Sequence, residues 1–404
     1  MNAAPPNPAP LAVAEAQRRL LALAGPTPVE HAALHAAAGR WAAAPVQAAR
    51  TQPASDLAMM DGYALRFADL GAPLRIVGES AAGAPFTGQV RIGQAVRIFT
   101  GAPVPAGADT VLVQEEALRE RDRLKLSGEG PAAIGANIRP RGLDFVAGAP
   151  LIAAGAPLTP PCIALAAIAG HATLPVHRRL RVAIAATGNE LVRPGDPIGP
   201  AQLPESNGVM LAAMLANLPV DLVDLGILPD DLDTLTAAFG TVDADLLVTS
   251  GGASVGDHDL VRPALAAAGV TLDFWRIAMR PGKPLMAGTR GAMVAIGLPG
   301  NPVSAFVTAT LFVLPLIRAR LGARDPFPAM TTAMLGVALP PNGPRADYRR
   351  AMRVNGIVVE PARQDSSMLH ALADADCLIV RAPHAPAAAP GDSVEILPLA
   401  PAGA

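Results

Sequence analysis

From about residue 181 to residue 321, short apolar runs alternate with helical stretches, and this alternation constrains the fold more than any other feature of the chain. Residues 181–187, 220–225, 245–250, 272–278 and 292–296 read as strands. Residues 207–218 (opened by an Asn cap), 231–240, 260–268 and 303–321 read as helices between and after them. Strands linked through helices return to the same edge by right-handed crossovers, so the expected architecture is an α/β doubly wound parallel sheet.

The flanks have a different texture. Residues 11–24 read as a helix closed by Gly25-Pro26, and Thr27-Pro28-Val29-Glu30 has the form of a capping box opening a second helix that stops near Gly39. From about 45 to 150 the chain breaks into short apolar runs punctuated by Gly and Pro, a small β-rich module. Residues 157–169 are helical by pattern, 171–175 serve as a connector, and after Pro326 the β-like pattern resumes as a C-terminal β-barrel-like domain. The expected division is a helical linker unit (1–44 with 145–178), a β-rich unit (45–144), the doubly wound domain (179–325) and a C-terminal β domain (326–404), in keeping with 404 residues at about 150 per domain.

Composition removes several classes of function. With 32 basic and 34 acidic side chains the net charge is −2, which gives no global field for nucleic acid or an anionic membrane. Cys162 and Cys377 are too few for a disulfide framework or a zinc site and point to a reducing compartment. The N-terminal residues lack a basic start and an apolar segment, so no secretory signal is expected. The most hydrophobic stretch, 303–317, carries Ser304, Thr308, Thr310 and Pro315 and is shorter than the roughly 20 residues of a bilayer span. The expectation is a soluble cytoplasmic protein with neither nucleic acid nor membrane as partner.

In open parallel sheets ligands bind beyond the carboxyl ends of the strands, and here those ends carry polar clusters. Thr187-Gly188-Asn189-Glu190 follows the first strand and Asp230-Asp231 the second. The third runs into Ser250-Gly251-Gly252-Ala253-Ser254-Val255-Gly256-Asp257-His258-Asp259, and the last into Gly297-Leu298-Pro299-Gly300-Asn301-Pro302. The loop at Gly251, Gly252, Ser254 and Gly256 and the helix start at Pro299, Gly300, Asn301 and Ser304 read as an anion cradle of free backbone N–H groups. Carboxylates on the same rim (Glu190, Asp230, Asp257, Asp259) make sense if a divalent cation separates them from the anion, since Mg²⁺ takes one or two carboxylates plus phosphate oxygens. Arg276, Arg280 and Lys283 bring positive charge, and Lys283 stands out as one of two lysines beside thirty arginines.

Gly252-Ala253-Ser254-Val255-Gly256 also fits a nucleophile elbow, but Asp257-His258-Asp259 intervene before the next helix, and the later histidines His370 and His384 lie in the C-terminal β module. No P-loop, G-x-G-x-x-G or H-E-x-x-H occurs, which disfavours nucleotide kinases, nicotinamide enzymes and zincins.

Several segments together resemble the molybdopterin molybdenumtransferase family, which includes MoeA and the C-terminal domain of gephyrin. They are MDGYA at 60–64, TGAPVPAGAD at 100–109, NIRPRGLD at 137–144, ATGNEL at 186–191, SGGASVGDHD at 250–259, RPGKP at 280–284 and GLPGNPVS at 297–304, with QDSSML at 364–369 matching more loosely. The resemblance runs in order over nearly the whole chain. It implies a homodimer whose active site lies between the doubly wound domain of one subunit and the N-terminal β module of the other. The implied reaction takes adenylylated molybdopterin and molybdate as substrates, uses Mg²⁺, releases AMP and inserts molybdenum into the dithiolene. By the same resemblance Asp61, Asp144, Glu190, Asp230 and Asp259 are the functional carboxylates, with Glu190 and Asp259 on the metal. Thr100 is a site threonine, and Arg280, Lys283, Ser304, Arg350 and Ser366 handle molybdate. The chain departs from the family in having Arg276 and Arg280 where members often have Lys, and Leu143 where they often have Glu. Implied partners are a molybdopterin adenylyltransferase and apo-molybdoenzymes. The alternatives are a molybdopterin adenylyltransferase, which shares the GGxSVGxxD loop, and a non-catalytic gephyrin-like scaffold.

Overall fold

The computed structural model describes residues 10–251 and 260–399. At its centre is a six-stranded sheet in the order Val220–Leu228, Leu180–Thr187, Leu246–Ser250, Met293–Leu298, Pro284–Arg290, Thr271–Arg276. The first four strands are parallel, as the alternation predicts. The last two are antiparallel, so the sheet is mixed rather than purely parallel. The reason is connection length: only residues 277–283 separate Thr271–Arg276 from Pro284–Arg290, fewer than the dozen or so a parallel crossover needs. Pro284–Arg290 has no counterpart among the strands expected from sequence, which pass from 272–278 to 292–296.

Both faces of the sheet are covered, and the strand residues divide between them by the two-residue period of a strand. Val182, Ile184, Val248 and Ile296 belong to one buried cluster with the long closing helix. Ala183, Ala185, Leu247 and Ala295 belong to the other, against Leu235 and Phe239 of the helix Leu232–Thr241 and Val261 and Leu265 of the helix Val261–Ala267. That explains why the strands read as continuous apolar runs.

The closing helix is not uniform. It runs as Pro302–Thr308, widens to a π turn over Ala309–Val313, and resumes as Leu314–Arg320. Pro315 offers no N–H to the Leu311 carbonyl four residues back, and the side-chain amide of Gln17, on the N-terminal helix Val13–Leu21, donates to that carbonyl at 2.8 Å. The 19-residue run Pro302–Arg320 has a mean hydropathy of 1.6 and is 72% buried within the protein, which makes it a core helix.

Two expectations for the N-terminal half are corrected. Residues 27–39 do not form a helix: Val29–Ala33 is a strand, followed by the single turn Leu34–Ala37. The strand's partner is Thr173–His177, which overlaps the stretch 171–175 read from sequence as a connector. Thr27 does not cap; its hydroxyl donates to the Arg178 carbonyl at 2.9 Å, and tertiary pairing outweighs the local helix signal.

Beyond this long-range pair, Val46–Gln47 pairs with Pro150–Ile152, and the Gln52 N–H donates to the Phe145 carbonyl at 2.9 Å. Between those adjacent points the chain builds a second six-stranded sheet in the order Thr110–Val113, Gly62–Leu65, Gln94–Ile98, Leu74–Ser80, Arg123–Leu126, Ala117–Glu120. Its cores, around Tyr63, Leu65, Leu112 and Leu124 and around Ala64, Ile98 and Val111, are separate from those of the central sheet.

The C-terminal strands Ala346–Val354, Ile357–Val359, Thr331–Leu335, Ser393–Pro398 and Cys377–Arg381 follow one another, and a further pairing of the last with the first closes them into a five-stranded barrel. Met279–Arg280 adds to this barrel in parallel with Ala346–Asp347. Tyr348, Leu372, Leu378 and Leu397 share one buried cluster with the central sheet and with Ala16 and Leu20.

Candidate functional site

At the carboxyl rim, Asn207 lies in the first turn of the helix Asn207–Leu215 and does not cap it. Instead its Nδ2 donates to Ser250 Oγ at 2.6 Å and to the Gly300 carbonyl at 2.8 Å, tying two strand ends together. The backbones there approach closely: at Gly251 (φ +95°) a Cβ would fall 2.5 Å from the Thr187 carbonyl oxygen, and one on Gly300 would lie 3.5 Å from the Gly251 Cα. Asn189 and Asp230 bond reciprocally, the Asn189 N–H to Asp230 Oδ2 at 3.2 Å and the Asp230 N–H to Asn189 Oδ1 at 3.1 Å. The carboxylate of Glu190 folds back over Gly188, where a Cβ would come 2.6 Å from Oε2. Asn301 precedes the closing helix without capping it, and its Oδ1 is buried with no hydrogen-bond partner among the described residues. Gly252, Ser254, Gly256 and Asp259 lie outside the described residues.

Beside the rim is a cavity of about 460 Å³ between the central sheet and the C-terminal barrel. Six residues marked by the resemblance line it together: Arg280, Lys283, Pro299, Ser304, Arg350 and Ser366. They come from four separate stretches of sequence. The first stretch is stitched in place on both sides, since the Ala278 N–H donates to the Leu11 carbonyl at 2.7 Å and the Ala346 N–H to the Ala278 carbonyl at 2.8 Å. Gly282 (φ +92°) turns it so tightly that a Cβ would lie 2.4 Å from Thr308 Oγ1. Ser304 is 7% exposed in the first turn of the closing helix, where free N–H groups and the helix dipole favour an anion.

The cations of this cavity differ in how they are held. Arg280 forks onto Asp347, with Nε to Oδ1 at 3.0 Å and its other nitrogen on Oδ2. Asp347 also accepts from Arg349 at 3.0 Å, and Arg349 grips Glu360 at 2.6 and 2.8 Å. These bonds hold the Arg280 and Arg349 guanidiniums above the ordinary arginine pKa. Arg350, 2% exposed, donates to Gln364 Oε1 at 3.2 Å, the Met368 carbonyl at 2.7 Å and the Asp365 carbonyl at 2.9 Å. Burial lowers its pKa, and its donors shape the loop that carries Ser366. Among the described residues the side chains of Lys283 and Arg345 make no ion pair. Asp347, Arg345 and Asn207 were missed from sequence. For Asp347 a signal existed: Asp-Tyr-Arg-Arg is an unusually charged stretch for a strand that closes a barrel.

The remaining marked residues sit in the β-rich unit. Asp61 Oδ1 accepts from the Thr100 N–H at 2.7 Å and the Thr100 hydroxyl at 2.8 Å, and the backbone bond foremost, then the hydroxyl, holds its carboxyl below the ordinary aspartate value. Asp144 is exposed, its N–H donating to the Gln52 carbonyl at 3.1 Å. None of the three lines the cavity. Among the described residues no three His, Cys, Asp or Glu side chains gather as a metal cluster. The rim donors present, Glu190 and Asp230, are oxygen-only, which suits Mg²⁺ completed by phosphate and water. Neither cysteine belongs to the cavity: Cys162 is on the helix Pro160–Ile168, and Cys377 is buried in the barrel with its thiol pushed by burial up to about 12.

A doubly wound domain abutting a barrel across a cation-lined cavity defines a multidomain α/β protein equipped to hold an anionic ligand. Comparison with known proteins identifies the kind. Residues 11–170 match the family model described as the MoeA N-terminal region (domain I and II), 183–319 the probable molybdopterin binding domain, and 332–399 the MoeA C-terminal region (domain IV). A molybdopterin molybdenumtransferase of Haemophilus influenzae is 35% identical, covering 92% of this chain and 94% of the relative, and that of Bacillus subtilis is 33% identical over 92% and 90%. A crystal structure of a molybdopterin biosynthesis MoeA protein from Pyrococcus horikoshii superposes with a TM-score of 0.81 at 25% identity, covering 97% of this chain and 100% of the other. The chain belongs to the molybdopterin molybdenumtransferase family and is a transferase of molybdenum cofactor biosynthesis. The adenylyltransferase alternative is the weaker reading because the match extends over the N- and C-terminal regions as well, and the scaffold alternative because the relatives matched are named molybdenumtransferases.

Proposed function

We propose that this protein inserts molybdate into adenylylated molybdopterin with Mg²⁺-dependent release of AMP. The observation that carries the reading is the cavity at the rim, where Lys283, Ser304 and Ser366 converge beside the amino end of the closing helix. A tetrahedral dianion held there meets an unpaired ammonium, two hydroxyls and helix N–H groups. In this reading the glycine-rich loop read from the sequence would let phosphate oxygens approach backbone N–H groups. Molybdenum takes sulfur ligands, and with no cysteine at the site those sulfurs come from the substrate. The protein's task is then positioning: it aligns the dianion with the dithiolene, orients the pyrophosphate and excludes misplaced water. Glu190 and Asp259 would hold Mg²⁺, which when bound neutralises pyrophosphate charge and polarises its phosphorus.

In the same reading the protein works in the cytoplasm as a homodimer, between an adenylyltransferase that supplies the substrate and apo-molybdoenzymes that take the product. Asp61, Thr100 and Asp144 of one protomer complete the rim of its partner.

The test is anaerobic turnover of adenylylated molybdopterin with molybdate and Mg²⁺, following AMP release and activation of an apo-molybdoenzyme. AMP release should require both additions, and Glu190→Gln and Asp259→Asn should each abolish it without loss of fold. Activity in both variants defeats the metal-carboxylate assignment, and no AMP release by the native protein defeats the function. Mixing inactive Asp61→Asn with inactive Glu190→Gln should restore about a quarter of native activity if sites form between protomers; no recovery defeats that arrangement.

A further inference from the structure

The cavity holds more cations than its electrostatics admit to a ligand. Arg280, on the strip that leaves the central sheet, forks onto Asp347 of the barrel; Asp347 also takes Arg349, and Arg349 takes Glu360. The four groups carry two positive and two negative charges and cancel. Asp347 is 4% exposed and the Arg349–Glu360 end is mostly buried, so water screens the cancellation weakly there and more at Arg280, whose side chain is 52% exposed. Arg350 makes no ion pair either, but its donors are spent on neutral acceptors, the Gln364 side-chain oxygen and the Asp365 and Met368 carbonyls. The cations whose side-chain donors are all left for a ligand, among the described lining residues, are Lys283 and Arg345.

We infer that Asp347 is a positioning residue for oxyanion handling: it fixes the Arg280 guanidinium against the cavity wall and withholds its charge, leaving Lys283 and Arg345 as the cations that recruit the dianion. The inference rests on the reading of this cavity as the oxyanion site. It gives Arg280 a different part from Lys283 although the two are three residues apart. Arginine suits that part where lysine does not, because its planar fork matches both carboxylate oxygens at once. An internal carboxylate competes with the entering oxyanion, so binding is weaker than the count of cations suggests and the product leaves more easily.

The experiment is calorimetric titration of the full-length protein with sodium molybdate, at low and at high ionic strength, alongside steady-state turnover. Asp347→Asn removes one negative charge and should bind molybdate about tenfold tighter with a steeper salt dependence, while kcat falls because Arg280 is no longer held. A merely structural aspartate gives the reverse, weaker binding and a higher KM. Glu360→Gln, at the far end of the network and less buried than Asp347, serves where Asp347→Asn does not fold and should change affinity in the same direction. Lys283→Gln and Arg345→Gln should each weaken binding at least tenfold. Native protein that binds no molybdate overturns the oxyanion reading and this inference together. Native binding weakened by Lys283→Gln but unchanged or weakened in Asp347→Asn and Glu360→Gln overturns the inference alone.

Discussion

Asp61 and Thr100, both marked by the family resemblance, show what a residue's immediate surroundings decide. Both Thr100 donors fall on one carboxylate oxygen, so the folded pKa of Asp61 is depressed from 3.8. A depressed carboxylate stabilises the fold above its unfolded value and loses that contribution as pH falls through the folded one. The Asp61–Thr100 clasp therefore stays closed throughout the neutral range and opens only in acid below pH 3.8. Thr100→Ala should bring the Asp61 titration back up towards its ordinary value, measured by carboxyl carbon chemical shifts against pH; an unmoved titration would show that Thr100 does not set it. At this scale the sequence was informative about Lys283 and Ser304, since a rare lysine and a serine at a helix start signal themselves. Asp347 was hidden because its importance comes from Arg280, which lies 67 residues earlier in the chain and meets it only across the boundary between sheet and barrel.

At the level of elements, local signals read well where burial agrees with them. The strands Leu180–Thr187 and Leu246–Ser250 are apolar through their middles, at 182–186 and 246–248, because helices cover both faces. Thr27-Pro28-Val29-Glu30 misleads because Thr173–His177 offers it a ladder that no local pattern encodes. The closing helix gives a test of how an imperfection is compensated. Gln17→Ala should destabilise the fold by about 1 to 2 kcal/mol, since it strips a hydrogen bond from a partly buried carbonyl. In a Pro315→Ala background, where residue 315 regains an N–H for Leu311, the same substitution should cost less than half as much. A double-mutant cycle by chemical denaturation measures this, and purely additive effects would show that Gln17 does not stand in for the missing donor.

For the whole molecule, one buried cluster joins the N-terminal helix, the central sheet and the barrel, while the β-rich unit keeps cores of its own. The chain enters and leaves that unit at neighbouring residues, Gln52 and Phe145. Replacing 54–143 with a short Gly-Ser linker should leave a folded remainder that still binds molybdate in calorimetry. A product that aggregates or lacks a cooperative thermal transition would show that the cores are interdependent. The order of modules could be read from texture because strand and helix periods differ. The sharing of one strip of chain, 277–283, between the two bodies could not, because nothing in the two-residue strand Met279–Arg280 announces that its partner is in the barrel.

That sharing has a mechanical consequence. Because the strip bearing Arg280 and Lys283 is hydrogen-bonded to the barrel and covalently continuous with the central sheet, the two walls of the cavity cannot separate like jaws without tearing a ladder. A bulkier guest must be met by rotation of side chains, so reshaping this enzyme for another metal oxoanion is a matter of changing what projects from a fixed frame.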